Sequence, residues 1–94
     1  MTVVARRIVV RGRVQGVGYR YAMVTLAREA GVVGWVRNRR DGTVEAHVQG
    51  EEQLVARVEA WCRDGPPGAQ VSDVHGESVT ADVALERFAK RATE

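Results

Sequence analysis

Residues 12–20 read GRVQGVGYR and join a predicted strand directly to a predicted helix. The three glycines let the backbone turn sharply and can bring several N–H groups close to one point. The N-terminus of the helix that follows carries partial positive charge on its unpaired N–H groups. Arg20 adds a planar guanidinium that can hold two oxygens at once. The stretch indicates a cradle for a phosphate-like anion, although spacing alone gives equal weight to a glycine-rich turn with a surface arginine.

Two better-known phosphate-binding loops do not fit this stretch. It lacks a Gly-Lys-Ser/Thr ending, which excludes a nucleoside-triphosphate P-loop. A dinucleotide-binding fingerprint that starts at Gly16 would need its third glycine where Tyr21 stands.

Hydrophobic periodicity on both sides of the cradle predicts an α+β fold. The predicted elements are, in order, a strand at 7–14, a helix at 21–30, strands at 32–38 and 43–49, a helix at 53–62 and a strand at 71–77. Gly31 ends the first helix, and Asp41-Gly42 is a hairpin turn signal. The order βαββαβ is that of a ferredoxin-like sandwich, an antiparallel sheet with two helices on one face.

The tail at residues 84–91 fits two structures. Its apolar side chains fall near helical spacing, and it could equally form a short final strand centred on Phe88. The topology favours the strand.

Chain length and cysteine content narrow the class of protein. The chain of 94 residues predicts one domain spanning residues 1–94. With Cys62 as the only cysteine, no intrachain disulfide can form, which is typical of a reducing compartment. Neither a signal-like N-terminal segment nor an apolar run of membrane-spanning length is present. We therefore expect a cytoplasmic monomer that does not bind membranes.

Charge is distributed unevenly along the chain. The net charge is +2, but residues 1–40 hold nine arginines and one acidic residue, so the remainder is acidic. A positive half raises the local concentration of small anions. It could also bind nucleic acid, or simply form a solvated basic face.

Asn38 ends the second predicted strand, just before the hairpin turn. Asparagine is common there because its side chain bonds the nearby backbone, and alone that structural role is the more frequent one. The predicted sheet, however, brings together strands from distant parts of the sequence, so Asn38 can lie beside the cradle.

Residues 12–20 and residues 34–44, GWVRNRRDGTV, together resemble the two signatures of the acylphosphatase family. The helix between them, the Pro-Pro loop and the total length agree, so the resemblance covers nearly the whole chain. It implies a ferredoxin-like fold and hydrolysis of the carboxyl–phosphate bond of small acyl phosphates. It also implies that Arg20 binds the phosphate and that Asn38 orients the attacking water. The backbone N–H groups expected to complete the cradle are those of Gln15, Gly16, Val17, Gly18 and Tyr19.

The chemistry of acyl phosphates is consistent with a site that holds only an arginine, backbone amides and one asparagine side chain. An acyl phosphate already has a good leaving group, a carboxylate, so the enzyme needs charge neutralisation and an in-line water rather than a strong acid. We expect no cofactor and no metal, because His47, His75 and Cys62 do not form a metal-ligating constellation. The histidines are interpreted as surface residues and Cys62 as a core residue. Inorganic phosphate or sulfate should bind at the cradle.

Two features depart from the family pattern. Lys90 stands where a second apolar residue of the last strand is expected, which leaves the register of that strand open. Arg39 and Arg40 make the turn after Asn38 unusually basic, and we interpret them as solvating the turn.

Two other functions fit the same fold class. An RNA-binding module would need exposed aromatic residues on the central strands. The outward positions of the first and third strands offer none, since they hold Arg7, Val9, Arg11, Arg13, Thr43, Glu45, His47 and Gln49. A non-catalytic anion-binding module would not need both Arg20 and Asn38.

Overall fold

The computed structural model describes residues 2–94. Its elements are β1 (Val3–Arg13), α1 (Tyr19–Ala30), β2 (Val33–Asn38), β3 (Val44–Glu51), α2 (Glu52–Cys62), β4 (Gln70–Ser78) and β5 (Phe88–Lys90). The predicted βαββαβ order is confirmed. The tail forms a strand over three residues only, preceded by an irregular segment at residues 79–87.

The sheet has the order β4-β1-β3-β2-β5. Its first four strands pair antiparallel, as expected for a ferredoxin-like sandwich. The expectation of a wholly antiparallel sheet is wrong at one edge, because β5 pairs parallel to β2. Since β4 and β5 lie at opposite edges, residues 79–87 must cross the sheet before β5 begins. Asp82 marks the crossing, where its backbone exchanges two hydrogen bonds with the Gln49 side chain.

The hydrophobic core lies between the two helices and one face of the sheet. Strand alternation places Ile8 and Val10 of β1 on that face, and both are fully buried. Helix α1 buries residues four apart, as one apolar stripe requires. Phe88 of β5 is also fully buried, so the short last strand closes the core beside α1. None of the helices formed by residues 2–94 has the length and apolarity that a membrane crossing requires.

The topology brings the ends of β1 and β2 together. Both strands run antiparallel to β3, which lies between them, so they run parallel to each other. Their C-terminal ends therefore lie at the same edge of the sheet. One of these ends leads into residues 15–18, and the other is Asn38.

The outward face of β3 is not the solvated surface that alternation predicts. Glu45 is only 3% exposed and Gln49 only 8%. Glu45 is covered by arginine side chains, and Gln49 by the crossing segment. The interpretation of His47 as a surface residue is also wrong: it is half-buried, stacks on Trp35 and hydrogen-bonds Gln49. The other histidine, His75, is exposed as expected.

Candidate active site

The loop at residues 15–18, hereafter the cradle loop, depends on two glycines for its backbone path. Gly16 has φ 73° and Gly18 has φ 81°, both in the left-handed region. A Cβ at either position would meet no atom within 4 Å, so backbone conformation rather than space selects glycine there. Gly18 is also the N-cap of α1. Helix α1 therefore begins directly after the loop, at Tyr19, two residues before the predicted start.

The cradle loop leaves its amide groups available. The residues that the structure describes provide no acceptor for the loop N–H groups of Gln15, Gly16, Val17 and Gly18. The first turn of α1 has neither a side-chain cap nor an acidic residue. Its N–H groups have no intrahelical acceptor either. Such a run of unpaired amides with a helix N-terminus is suited to an anion.

Tyr19 can contribute only its backbone amide to the cradle. Its ring is buried, its hydroxyl donates to the Cys62 carbonyl at 2.6 Å, and the ring packs against Trp61. Burial raises the pKa of the Tyr19 phenol far above its usual value. It likewise raises the pKa of the Cys62 thiol to about 12. Both groups stay protonated near neutral pH, and Cys62 is the core residue that the sequence predicts.

Gln15 ties the cradle loop to the turn between β2 and β3. Its Nε2 donates to the Arg39 carbonyl at 2.7 Å and to the Thr43 carbonyl at 2.9 Å. The loop is therefore held beside the turn that follows Asn38. Sequence reasoning considered only the backbone amide of Gln15 and missed this contact. Both acceptors are main-chain atoms, so no residue type signals the partner.

Asn38 does not have the turn-capping role that is common for asparagine. Asp41 takes that role, because its Oδ1 accepts hydrogen bonds from the Thr43 N–H at 2.9 Å and the Thr43 hydroxyl at 2.7 Å. Those two bonds lower the pKa of the Asp41 carboxyl, with smaller contributions from nearby arginines. Asn38 instead points to the helix side of the sheet, in register with the buried Val44.

The carboxamide oxygen of Asn38 is buried and unsatisfied. The residue is 9% exposed, and its Oδ1 has no hydrogen-bond partner among the described residues. Buried polar atoms nearly always have a partner, so each exception needs an explanation. Two segments lie beside Asn38: the cradle loop, which Gln15 ties to the turn after Asn38, and the C-terminal Glu94, whose N–H donates to the Asn38 carbonyl at 3.1 Å. Neither segment gives Oδ1 a hydrogen bond.

Arg20 lies in the first turn of α1 and is half-buried. No carboxylate of residues 2–94 forms an ion pair with it. Other half-buried arginines are paired, as Arg6 is with Glu59 and Arg37 is with Glu45. An arginine whose side chain has no partner among the described residues is suited to an external anion.

A second charged cluster lies on the opposite face of the sheet. Glu45 accepts hydrogen bonds from Arg7 at 2.6 Å, Arg37 at 2.8 Å and Arg39 at 3.1 Å. Burial alone would raise the pKa of the Glu45 carboxyl, but bonds and charge from Arg37 and Arg7 hold it below its usual value. The interpretation that Arg39 solvates the turn is therefore wrong. Arg40 is exposed, as expected.

The aromatic side chain on which a base could stack, at the open face of the sheet, is already covered by other side chains. Trp35 lies on the open face of the sheet, where the guanidinium of Arg37 sits 4.7 Å and that of Arg91 5.0 Å from the ring centre. These contacts make Trp35 a packing residue rather than a base-stacking one. Among residues 2–94, no three His, Cys, Asp or Glu side chains are grouped so that they could hold a metal ion.

Known proteins resemble the chain over almost its full length. The acylphosphatase family profile matches residues 6–90. An acylphosphatase of Rhodopseudomonas palustris is 47% identical over 89 residues, covering 95% of this chain and 90% of that protein. An acylphosphatase of Nitrobacter hamburgensis is 48% identical, with 96% of each chain covered.

Solved structures agree with these sequence matches. The crystal structure of an acylphosphatase from Bacillus subtilis superposes with a TM-score of 0.89 at 33% identity, covering 96% of this chain and 99% of that one. An acylphosphatase from Coxiella burnetii gives a TM-score of 0.90 at 32% identity, covering 95% of this chain and 93% of that one. The resemblance read from residues 12–20 and 34–44 is thus confirmed, and this chain belongs to the acylphosphatase family.

Proposed function

We propose that this acyl-phosphate hydrolase binds the phosphoryl group on Arg20 and the cradle-loop amides, and that Asn38 orients the attacking water. The single observation that carries the proposal is the buried, unpartnered Oδ1 of Asn38 at the sheet edge beside the cradle loop. Membership of the acylphosphatase family gives the reaction.

The phosphoryl group is stabilised by donors that are already in place. Backbone amides of Gln15, Gly16, Val17, Gly18 and Tyr19 line the loop, and the guanidinium of Arg20 supplies a positive charge with two parallel donors. Preorganised donors of this kind neutralise charge on the phosphoryl oxygens without reorganising during the reaction.

Asn38 acts on the water. Its carboxamide hydrogen-bonds the water and fixes it in line with the bond that breaks. The water oxygen attacks phosphorus, the bond from phosphorus to the carboxyl oxygen breaks, and its electron pair leaves with the carboxylate. A phosphoryl oxygen takes the proton of the water. The products are a carboxylate and inorganic phosphate.

The site and the sequence together support proposals for the substrate, cofactors, partners and location of the protein. Substrates are small acyl phosphates, and inorganic phosphate or sulfate binds the empty cradle. The reaction uses no metal or cofactor, since charge is neutralised by Arg20 and the amides. We propose that the chain acts as a single monomeric domain, and that it is cytoplasmic because Cys62 is its only cysteine. The covered ring of Trp35 argues against a nucleic-acid partner.

Hydrolysis assays test this proposal directly. The protein should hydrolyse a synthetic acyl phosphate and spare a sugar phosphate, because a monoester has a far poorer leaving group. Arg20→Lys should lose nearly as much activity as Arg20→Ala, on the order of 10²–10³ in rate, because lysine keeps the charge but not the two-pronged contact. Arg57→Ala, at an exposed position of α2, is the control and should keep parental activity. Comparable turnover of the sugar phosphate, or full activity of Arg20→Lys, would contradict the proposal.

A further inference from the structure

Glu45 makes an unusual number of contacts for one buried carboxylate. It lies on β3, directly opposite Arg37 of β2. Its two oxygens accept hydrogen bonds from Arg7, Arg37 and Arg39. Two of these three arginines are the residues immediately before and after Asn38.

Because side chains alternate along a strand, these contacts fix the direction in which the Asn38 side chain points. Arg37 and Arg39 reach Glu45 on the open face of the sheet, so the side chain between them must point to the helix side. The regular pairing of β2 with β3 ends at Asn38 and Val44. Beyond that point the Arg39 N–H donates to the Thr43 carbonyl at 2.8 Å, and Glu45 anchors the Arg39 side chain. The strand end that carries Asn38 is therefore held both by main-chain pairing with β3 and by the side-chain contacts with Glu45.

We propose that Glu45 is a positioning residue for catalysis, which holds Arg37 and Arg39 on one face of the sheet and thereby aims the Asn38 carboxamide into the cradle on the other. The inference rests on the proposed role of Asn38. Glu45 itself contacts neither the substrate nor the attacking water, because it lies on the face opposite to the cradle.

Removing the charge of Glu45 takes the shared carboxylate away from Arg37 and Arg39. Arg37 keeps its ion pair with Glu94 at 2.6 Å, whereas Arg39 is left without a carboxylate partner among the described residues. Arg37 and Arg39 then have no buried carboxylate between them, and their repulsion favours a different path for the strand end. A misplacement of about 1 Å in a catalytic group can cost about 10²-fold in rate. The cradle loop and Arg20 belong to other elements, so phosphate binding is not expected to change in parallel.

The matched test compares two Glu→Gln substitutions. Glu45→Gln should lower kcat for a synthetic acyl phosphate by about 10- to 100-fold, with KM and the phosphate inhibition constant near parental values. Glu59→Gln is the control: Glu59 forms a two-pronged ion pair with Arg6 between β1 and α2, away from Asn38. It should lower the melting temperature and leave kcat parental. All assays are run well below the melting temperature of each variant.

Two arginine variants separate positioning from general stabilisation. Arg39→Met removes an arm that flanks Asn38, whereas Arg7→Met removes the arm from β1. We expect a loss of kcat in Arg39→Met and near-parental kcat in Arg7→Met. Because both positions are partly exposed, these variants carry the test even where Glu45→Gln does not fold.

Three results would overturn the inference. They are parental kcat in Glu45→Gln or in Arg39→Met, equal losses in Arg7→Met and Arg39→Met, and a loss of phosphate affinity as large as the loss of turnover. A parent protein without acyl-phosphate hydrolysis would refute the proposed function and this inference with it. An active parent with an unaffected Glu45→Gln would refute the inference alone.

Discussion

Asn38→Ala should separate catalysis from stability. The parent holds the Asn38 Oδ1 buried without a protein partner. An unsatisfied buried polar group costs about 1–3 kcal/mol of stability. Truncation to alanine removes that cost and gives up the packing of a short side chain. We therefore expect the free energy of unfolding to stay unchanged or to rise by about 1 kcal/mol, which corresponds to roughly 4–8 °C in Tm for a domain of this size.

The same substitution should nearly abolish turnover. In the proposed mechanism Asn38 orients the attacking water, so its loss should cost on the order of 10²–10³ in kcat, or about 2.7–4 kcal/mol of transition-state stabilisation. In the same mechanism Arg20 and the cradle loop bind the anion in the ground state as well as in the transition state. KM and the phosphate inhibition constant should therefore change little.

The assay measures kcat, KM, the phosphate inhibition constant and the Tm of the parent and the variant. Gln49→Ala provides the matched control, because Gln49 is a similarly buried carboxamide whose oxygen and nitrogen are both bonded to the Asp82 backbone, at 2.8 Å and 3.1 Å. Loss of those two bonds should cost about 1–3 kcal/mol of stability, with kcat unchanged. If Asn38→Ala loses stability as Gln49→Ala does, or loses phosphate affinity as fully as turnover, Asn38 shapes the fold and does not position water.

Three further outcomes follow from the site and its surroundings. Phosphate and sulfate should inhibit competitively and raise Tm, with about 2.7 kcal/mol of stabilisation at a concentration of 100 times the Kd; a Tm that stays fixed in high phosphate would place the anion site elsewhere. The folded-state pKa of Glu45 is depressed, so the stability that its charge contributes is present above its unfolded value of about 4.3 and is lost as the pH falls through its lower folded value. The stability difference between parent and Glu45→Gln should therefore be constant at neutral pH and shrink in denaturant titrations below about pH 5. A stability difference that does not depend on pH would contradict an ionised Glu45 in this cluster. The charged and titratable groups that line its cavity are Arg7, Arg11, Arg39, Asp41 and His75. Activity should be insensitive to EDTA and should show no histidine-like inflection near neutral pH; inhibition by EDTA would reveal a metal requirement.

Much of the fold is predictable because its local signals agree. Clean alternation in β1 and β3 and the glycine at residue 31 place the strands and the first helix. The parallel pairing of β5 was not predictable. A strand of three residues has too little pattern, and its position depends on residues 79–87 crossing the sheet.

The candidate site likewise has features that the sequence predicts and features that it does not. The closeness of Asn38 to the cradle follows from topology, since the ends of β1 and β2 must share a sheet edge. The burial of Glu45 does not follow, because alternation assigns it to the open face, and it is covered only by arginines from the two neighbouring strands and from the turn after β2. The contact of Gln15 with the β2–β3 turn involves main-chain acceptors, which any residues could supply.

An NMR titration of the isotope-labelled protein with inorganic phosphate, at constant ionic strength, tests the central claim most directly. The account predicts saturable shifts of the amide signals of Gly16 and Gly18 and of the Arg20 side-chain Nε–H. The cavity of about 210 Å³ on the open face, lined in part by Arg7 and Arg11, is the internal comparison because it is also rich in arginine. Its signals should change little. Saturable shifts confined to that cavity, with the cradle amides and Arg20 unmoved, would contradict the account.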